Sequence, residues 1–450
     1  MQKPDPEVEK RIETLKEDVR KMLSNAAGKA TLEELSTLID TLQRLGVAYH
    51  FEYQISQALQ SIYNNYVDNN NINGSDDDDL YTIALRFRLL RQQGYSLSSD
   101  VFKKYVDDNG EFKATLANDA RALLCLFESS NLRKEGEDIL EQLQRLSTRQ
   151  LKSMLPHLNS SFAEEVNRTL ELPLHKRMPR LEGRQYISIY EADAARNDLL
   201  LEIAKLDFNS LQKLHRTELC DLSRWEVLAA NDLPEYMQVC YFALLDVVKE
   251  MEDNLVNEGR SYRVHYAKEA MKALVRAYFV EAIWFNTKYV PTFEEYLEIS
   301  VMSSGYPMLS VQALVGLEEV ATKEAFDWAI SVPRILRSSA LIARLVDDIH
   351  TYKVEEERGD APSGVQCYMK DHNVSEEEAC KKIKEMVDIA WKNINEEIQE
   401  PNHPPLPLLL PSLNLARMME VLYQNGDCYT NSTGKTKKRI ASVLVDPIPI

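Results

Sequence analysis

Helical periodicity is clearest in the stretch Thr31-Leu-Glu-Glu-Leu-Ser-Thr-Leu-Ile-Asp-Thr-Leu-Gln-Arg-Leu-Gly46, where leucine or isoleucine recurs every three or four residues. That spacing puts the apolar side chains on one face of an α-helix. Thr31 and Glu34 have the spacing of a capping box at the start of this helix, and Gly46 stands where a C-terminal cap belongs. The stretch therefore predicts an amphipathic helix with both of its ends marked.

The same start signal recurs further along the chain. No alternating pattern of six or more residues indicates a β-strand. With 14 glycines and 17 prolines in 450 residues, the composition is also poor for a protein of short strands and tight turns. We therefore predict an all-α fold. The further pairs, each a hydroxyl residue three positions before a glutamate, are Ser161 with Glu164, Thr292 with Glu295, and Ser375 with Glu378.

The length of the chain indicates more than one domain, because 450 residues is about three times the usual domain length. The polar run at Asn69–Asp79 and the proline-rich run at Pro401–Pro407 interrupt the helices, but both are too short to link domains. Residues 177–196 are interpreted as a longer interruption. We predict an N-terminal helical domain over residues 1–190 and a second helical domain over residues 191–450.

Composition and charge exclude several classes of protein. With 53 basic and 71 acidic residues, the formal charge of −18 is opposite to the positive charge with which proteins bind nucleic acid or anionic lipid. An anionic substrate would need bound cations. The six cysteines form no Cys-x-x-Cys pair and the eight histidines no His-Glu-x-x-His motif, so neither a zinc site nor a disulfide framework is indicated. No apolar run approaches the roughly eighteen residues of a membrane span. We expect a cytoplasmic monomer.

The most informative segment is Arg344-Leu-Val-Asp-Asp-Ile-His-Thr-Tyr-Lys-Val-Glu355, which ends a helix that is apolar over Ile335–Val346. Side chains spaced by four residues lie along one stripe of a helix, and Arg344 precedes this stripe by one turn on the same side. Hard oxygen donors of this kind suit Mg²⁺, which completes its octahedron with water and substrate phosphate. The three oxygen-bearing side chains of the stripe are Asp347, Thr351 and Glu355.

A simpler interpretation is that these acids are the solvated end of an amphipathic helix, and for an isolated acidic pair that interpretation is usually the better one. Here the carboxylates continue directly from the apolar body Ala340–Ala343, which we expect to be buried. Buried carboxylates require a charge partner such as a metal ion. We therefore favour a metal site, with Arg344 holding the phosphate oxygens that the metal leaves free. His350 is expected to contact a neighbouring helix, because Mg²⁺ disfavours imidazole.

The helix resembles the second metal-binding motif of plant class I terpene synthases, which has the form (Asn/Asp)-Asp-(Leu/Ile)-x-(Ser/Thr)-x-x-x-Glu. The likeness continues in Glu357–Asp360 and Pro362–Tyr368. It extends over essentially the whole chain, which is similar to sesquiterpene synthases of flowering plants. The resemblance implies a C-terminal class I terpenoid synthase bundle. The other segments that carry the likeness are Arg86–Tyr95, Gly136–Leu140, Leu201–Asn209, Leu222–Trp225, Leu233–Met237 and Pro447–Ile450.

The resemblance also implies an activity, that of a carbon–oxygen lyase that binds a prenyl diphosphate through Mg²⁺, with Mn²⁺ as an alternative metal. The enzyme would ionise farnesyl diphosphate and let the carbocation cyclise in an apolar pocket. By position, the implied metal ligands are Asp347, Thr351 and Glu355, and the implied diphosphate ligands are Arg344 and Arg358. The implied substrate-binding residues are Ser303, Ser304 and Gly305 in a kinked helix, and the implied catalytic pair is Tyr429 with Asp427. Tyr429 could instead be an ordinary packed tyrosine, and Gly305 with Pro307 only a helix break.

The chain departs from the family pattern at the first metal motif, Asp-Asp-x-x-Asp. That motif should lie between Leu222–Trp225 and Leu233–Met237, but only the seven residues Glu226–Asp232 occupy the gap. The pattern predicts that several tens of residues are deleted, with the helix that carries the aspartates, and that the C-terminal bundle lacks some helices. The N-terminus also looks shorter than in family members.

Three functions remain open at this point. The first is a terpene synthase whose catalysis is impaired by the deletion. The second is a catalytically inactive truncated or splice-variant product that retains the fold. The third is a helical interaction scaffold whose acidic stripe is only a solvated face, and this one predicts no dependence on Mg²⁺.

Overall fold

The structure is a computed structural model that describes residues 6–29, 31–68, 79–107, 110–113, 119–222, 235–256, 259–399, 404–424 and 426–449. Within these residues it contains nineteen α-helices, four short 3₁₀ helices and no β-strand, so the predicted all-α fold is confirmed. In chain order the helices are α1 (Pro6–Lys29), α2 (Leu32–Arg44), α3 (Glu52–Asp68), α4 (Leu80–Gln92), α5 (Ala120–Ser130), α6 (Asp138–Met154), α7 (Ser160–Glu171), α8 (Pro179–Ala192), α9 (Asp198–Leu222), α10 (Glu235–Val256), α11 (Tyr262–Thr287), α12 (Phe293–Ser303), α13 (Tyr306–Val315), α14 (Lys323–Ile330), α15 (Arg334–Arg358), α16 (Gly364–His372), α17 (Glu376–Gln399), α18 (Leu406–Tyr423) and α19 (Lys435–Leu444).

The helix starts test the capping signals of the sequence. Helix α2 has the expected box, in which the backbone N–H of Glu34 donates to the Thr31 hydroxyl at 3.2 Å and the N–H of Thr31 donates to the Glu34 carboxylate at 2.9 Å. The box at Thr292 is also present, and the Ser375 hydroxyl caps α17. The start predicted at Ser161 is wrong. Helix α7 is capped two residues earlier by Asn159, whose side-chain oxygen accepts the N–H of Phe162 at 2.9 Å.

The chain divides into two compact units, of which the first comprises Met1–His215, Asn395–His403 and Ser432–Ile450. Its apolar core joins α1 to α6 with α8 and the first turns of α9, whose Ile203 is completely buried. The contacts thus divide the chain after His215, beyond the boundary expected at residue 190. That boundary stays a prediction about where a domain ends.

Residues 177–196 do not form the continuous interruption that the sequence suggested, because α8 occupies Pro179–Ala192. Pro179 stands in the first turn, where its fixed φ suits a helix and its missing N–H is not needed. Ile187 is completely buried in the core of the first unit. Burial of this one face stabilises the helix, although its proline, glycine and aromatic residues do not predict one.

The second unit comprises Arg216–Ile394 and Pro404–Asn431. Helix α15 lies at its centre and contacts α12, α13, α16 and α18. Ile335, Ile342 and Leu345 are completely buried, so the apolar body of this helix is in the core as the sequence predicts. The acidic end of α15 therefore emerges from a buried helix rather than from a peripheral one.

A break separates α12 from α13 at Ser304 and Gly305. Gly305 has φ +77°, a left-handed conformation that glycine adopts without steric cost, and Pro307 follows in the first turn of α13.

None of the helices in the described parts of the chain is long and apolar enough to cross a membrane. The polar run at 69–78, the residues 400–403 and the predicted deletion point at Glu226–Asp232 lie outside the described residues.

Two substitutions in α15 test its central position. Ile342→Ala removes a completely buried side chain and should lower the free energy of unfolding by about 2–5 kcal/mol, because the cavity left behind refills only in part. Val354→Ala changes a side chain that is 53% exposed on the same helix, and its effect should stay within about 0.5 kcal/mol. Urea denaturation followed by circular dichroism measures both, and equal effects would show that α15 is peripheral.

Candidate metal site

The acidic stripe of α15 lies on one half-buried face of the helix. Thr351 is 7% exposed, and its hydroxyl donates to the backbone carbonyl of Asp347 at 3.0 Å. The Asp347 side chain is 24% exposed, and Glu355 is half-buried. Burial and then the charge of Asp347 raise the pKa of Glu355, so the two carboxylates lie near enough to repel one another. The structure brings these three predicted metal ligands together.

Asp348 faces the opposite way from its neighbour Asp347. It is 2% exposed, and its carboxylate accepts hydrogen bonds from the Tyr296 hydroxyl at 2.7 and 2.9 Å and from the Gly364 N–H at 3.0 Å. Burial raises the pKa of Asp348 to about 7. The acidic pair is thus divided between a carboxylate that faces the candidate site and one that is buried among three helices.

Arg344 carries the positive charge of the site. Its guanidinium donates to the Ser303 hydroxyl at 3.0 Å and lies 3.9 Å from the Glu281 carboxylate and 3.8 Å from that of Asp347. The Ser303 hydroxyl in turn donates to Glu281 at 2.5 Å. Burial acts to lower the pKa of Arg344, but the anionic groups around it raise that pKa above its ordinary value. The arginine therefore stays charged, and two carboxylates hold it beside the stripe.

Tyr423 on α18 also contacts the stripe. Its hydroxyl donates to the Asp347 carboxylate at 2.5 Å, and burial together with that carboxylate raises the pKa of Tyr423. The ring of His350 lies 5.6 Å from the ring of Tyr423, so His350 contacts a neighbouring helix as the sequence predicts. Tyr423 stays protonated at neutral pH and fixes one carboxylate oxygen of Asp347.

The remaining predicted residues lie in three places. Arg358 ends α15 with a side chain that is 56% exposed and pairs with Asp360 at 3.2 Å. Tyr429 is 72% exposed, and Asp427 accepts its backbone N–H at 3.0 Å within a turn. The Ser304 hydroxyl, at the α12–α13 break, donates to a carbonyl of its own helix. The structure does not bring Arg358 against the stripe, and the roles assigned to these residues stay predictions.

The donor set of the stripe fits a hard divalent cation. It offers two carboxylates and one hydroxyl, and burial followed by the charge of Asp347 raises the pKa of Glu355, an effect that a bound cation would offset. In the described residues, no group of three or more histidine, cysteine, aspartate or glutamate side chains could hold a metal ion. The stripe therefore supplies part of an octahedron, and water and an anionic ligand would have to supply the rest.

The sequence analysis missed three residues of the site, namely Glu281, Tyr296 and Tyr423. Each one approaches α15 from another helix, and hydrogen-bonded pairs such as Tyr296 with Asp348 are 52 positions apart in the chain. Gly364, which was also missed, did have a local signal, because Ser363 and Gln366 form a capping box at the start of α16.

Comparisons with known proteins find two family models that match this chain. A family model described as the terpene synthase N-terminal domain matches residues 2–170, and one described as the terpene synthase family metal binding domain matches residues 216–393. The chain is 40% identical to (-)-germacrene D synthase of Vitis vinifera, over 99% of this chain and 92% of that protein. It is also 40% identical to sesquiterpene synthase 2 of Toona sinensis, over 98% of this chain and 91% of that protein.

A solved structure of grey poplar isoprene synthase, in complex with three Mg²⁺ ions and dimethylallyl-S-thiolodiphosphate, matches this chain with a TM-score of 0.86. It is 29% identical and covers 99% of this chain and 98% of that one. The alignment with the Vitis vinifera relative spans 519 positions, which is more than the 450 residues of this chain. That alignment thus contains positions that this chain leaves empty, and their predicted place at Glu226–Asp232 stays a prediction.

The buried carboxylate of Asp348 should make stability depend on pH in the metal-free protein. Its pKa rises from an ordinary 3.8 to about 7 in the folded state, so its contribution to stability is present below about pH 4 and is lost as the pH rises through 7. Asp348→Asn should therefore flatten the fall of the unfolding free energy between pH 4.5 and 7.5. Urea titrations in EDTA measure this, with Asp360→Asn, at a half-exposed carboxylate, as the control. Parallel curves for wild type and Asp348→Asn would contradict the assignment.

Proposed function

This chain belongs to the terpene synthase family, and we propose that it ionises farnesyl diphosphate with Mg²⁺ held at Asp347, Thr351 and Glu355. Enzymes of this family are lyases that act on prenyl diphosphates and depend on a divalent metal. The observation that carries the proposal is the half-buried stripe of two carboxylates and a hydroxyl with a charged arginine, Arg344, at its head. A solvated helix end, as the scaffold alternative requires, would not have Thr351 buried or Asp347 bonded to Tyr423.

Two findings favour this substrate and this metal. The Toona sinensis relative is named as a sesquiterpene synthase, which suits a fifteen-carbon prenyl diphosphate. The poplar structure holds Mg²⁺ together with a diphosphate analogue in a chain that matches this one over nearly its whole length. We extend both to this protein as proposals, with Mn²⁺ as an alternative metal. The cytoplasmic location and the monomeric state expected from the sequence stay predictions.

The residues of this chain would perform the reaction as follows. When bound, Mg²⁺ acts as a Lewis acid that stabilises the charge of the departing diphosphate. Arg344 neutralises diphosphate oxygens, and Glu281 with Ser303 fixes the direction of its guanidinium. Tyr423 keeps Asp347 on the metal side of α15.

The other predicted residues complete the proposed site. Burial and the hydrogen bond to Asp347 raise the pKa of Tyr423 most, and Asp427 and Tyr429 add to the shift, which favours a place for their turn near Tyr423. From there they would act as the catalytic pair. Arg358 would reach the diphosphate only after leaving Asp360. The break at Ser303, Ser304 and Gly305 would direct backbone carbonyls at the carbocation.

Impaired catalysis is part of the proposal, and the surface of α10 and α11 supports it. Both helices expose an apolar stripe, which in a folded protein usually faces a packing partner. Deleted neighbouring helices would explain these exposed stripes and would leave the pocket open to water, which intercepts a carbocation. The exposed side chains, each between 44% and 66% accessible, are Met237, Tyr241, Leu245, Val275, Tyr278, Phe279 and Ile283.

Incubation of the purified protein with farnesyl diphosphate, with and without Mg²⁺, tests the function. We expect Mg²⁺-dependent turnover roughly 10²–10³ times slower than that of a relative with the Asp-Asp-x-x-Asp motif assayed beside it, since the predicted deletion removes the charge-stabilising contacts of that motif. Acyclic alcohols should prevail over cyclic hydrocarbons in gas chromatography with mass spectrometry. A single cyclic sesquiterpene formed at the relative's rate would contradict the impairment, and no release of diphosphate under any condition would contradict the activity.

Substitution of the stripe tests which residues hold the metal. Asp347→Asn and Glu355→Gln should each raise the Mg²⁺ concentration needed for half-maximal turnover by tenfold or more, because each removes one anionic donor. Glu356→Gln, at the exposed neighbour of Glu355, is the matched control and should leave the Mg²⁺ dependence unchanged. The same Mg²⁺ dependence in all three variants would place the metal elsewhere.

A further inference from the structure

We propose that Tyr296, Asp348 and Gly364 form a positioning clamp that sets the rotation of α15 about its axis and so aims Asp347, Thr351 and Glu355 at the metal. None of the three would touch the metal or the substrate. The inference rests on the proposed function, because it assigns to these residues an effect on the proposed metal site.

The clamp joins three helices at one buried carboxylate. Asp348, on α15, is 2% exposed and Tyr296, on α12, is 4% exposed. The Tyr296 hydroxyl lies 2.7 and 2.9 Å from the two oxygens of Asp348. The backbone N–H of Gly364, the first residue of α16, donates to one of the same oxygens at 3.0 Å. This N–H belongs to a helix start, where the unpaired amides favour an anion.

Because α15 is a regular helix, holding it at Asp348 also fixes the direction in which its metal ligands point. Consecutive residues differ by about 100° around the axis, so a helix anchored through Asp348 presents Asp347, and the residues four and eight positions on, in a fixed direction. With side chains extending about 5–6 Å from the axis, a rotation of roughly 20° would move a carboxylate oxygen by about 2 Å. Metal–ligand distances tolerate only about 0.2 Å. A small rotation of α15 would thus turn the three ligands together away from the metal.

Gly364 shows how closely the clamp is packed. A Cβ atom at this position would lie 2.5 Å from a carboxylate oxygen of Asp348 and 2.8 Å from a ring carbon of Tyr296. Both distances are below any ordinary contact, and both neighbours are buried side chains with little room to move. Glycine is therefore required here by the approach of Asp348 and Tyr296, and a larger residue would push Asp348 and α15 away.

A buried hydrogen bond elsewhere on α15 provides a control for the clamp. Ser339, two turns before the site on the same helix, donates to the backbone carbonyl of Ser412 at 2.7 Å and is 1% exposed. Loss of that bond should lower stability without moving the acidic stripe. Ser339→Ala is therefore the matched control for loss of a buried contact.

The test uses Tyr296→Phe and Gly364→Ala, which change one atom each and leave the charge of the site unchanged. Mn²⁺ is titrated into the full-length protein in the presence of inorganic pyrophosphate, and bound metal is followed by electron paramagnetic resonance, without any turnover. Thermal unfolding is measured on the same samples. We expect both variants to bind Mn²⁺ about tenfold more weakly than wild type, as is typical when residues that orient metal ligands are changed. Ser339→Ala should lose comparable stability and keep its Mn²⁺ affinity within twofold.

The possible outcomes separate the clamp from the metal site on which it rests. If Glu355→Gln binds Mn²⁺ as tightly as wild type does, the proposed metal site itself is contradicted. If wild type binds at that site and both clamp variants bind equally well, the clamp is refuted. If one variant fails to fold, the other decides. Failure of both to fold would also refute the proposal, because the three residues would then serve the fold rather than the aim of the stripe.

Discussion

The second unit depends on how the negative charge of Asp347 and Glu355 is compensated on a half-buried face of α15. Burial and then the charge of Asp347 raise the pKa of Glu355, and Arg344 is a cation that lies against the same face. The surrounding helices supply hydrogen-bond donors, namely Tyr423 to Asp347 and Tyr296 to Asp348. A divalent cation bound at this face would compensate the charge of the carboxylates. The same cation would also compensate the charge of an anionic substrate.

The local patterns of the sequence predicted the helices well and the site in part. Thr31 with Glu34 and Thr292 with Glu295 form their boxes because capping depends on residues three apart. The stripe on α15 was also predictable, since its spacing is a property of one helix. Tyr423 could not be predicted in this way, because it meets Asp347 across 76 positions of the chain. Helix α8 was missed because packing of Ile187 outweighs a sequence with little periodicity.

The exposed faces of α10 and α11 link the fold to the rate of the reaction. Phe279, in the middle of a long helix, is 66% exposed, whereas aromatic side chains on the central helices of a bundle are usually covered. A family member with a shortened bundle can keep the acidic helix and its tyrosines and still lose the enclosure that protects a carbocation. The proposed binding of metal and diphosphate is therefore separable from completion of the proposed cyclisation.

Calorimetric titration of inorganic pyrophosphate into the protein, with and without Mg²⁺, measures the proposed metal site without any turnover. We predict that pyrophosphate binds measurably only when Mg²⁺ is present, and that Glu355→Gln abolishes this binding while Glu356→Gln retains it. Binding of pyrophosphate that is equally tight in EDTA, or equally tight in Glu355→Gln and Glu356→Gln, would contradict the claim that the acidic face of α15 holds the metal.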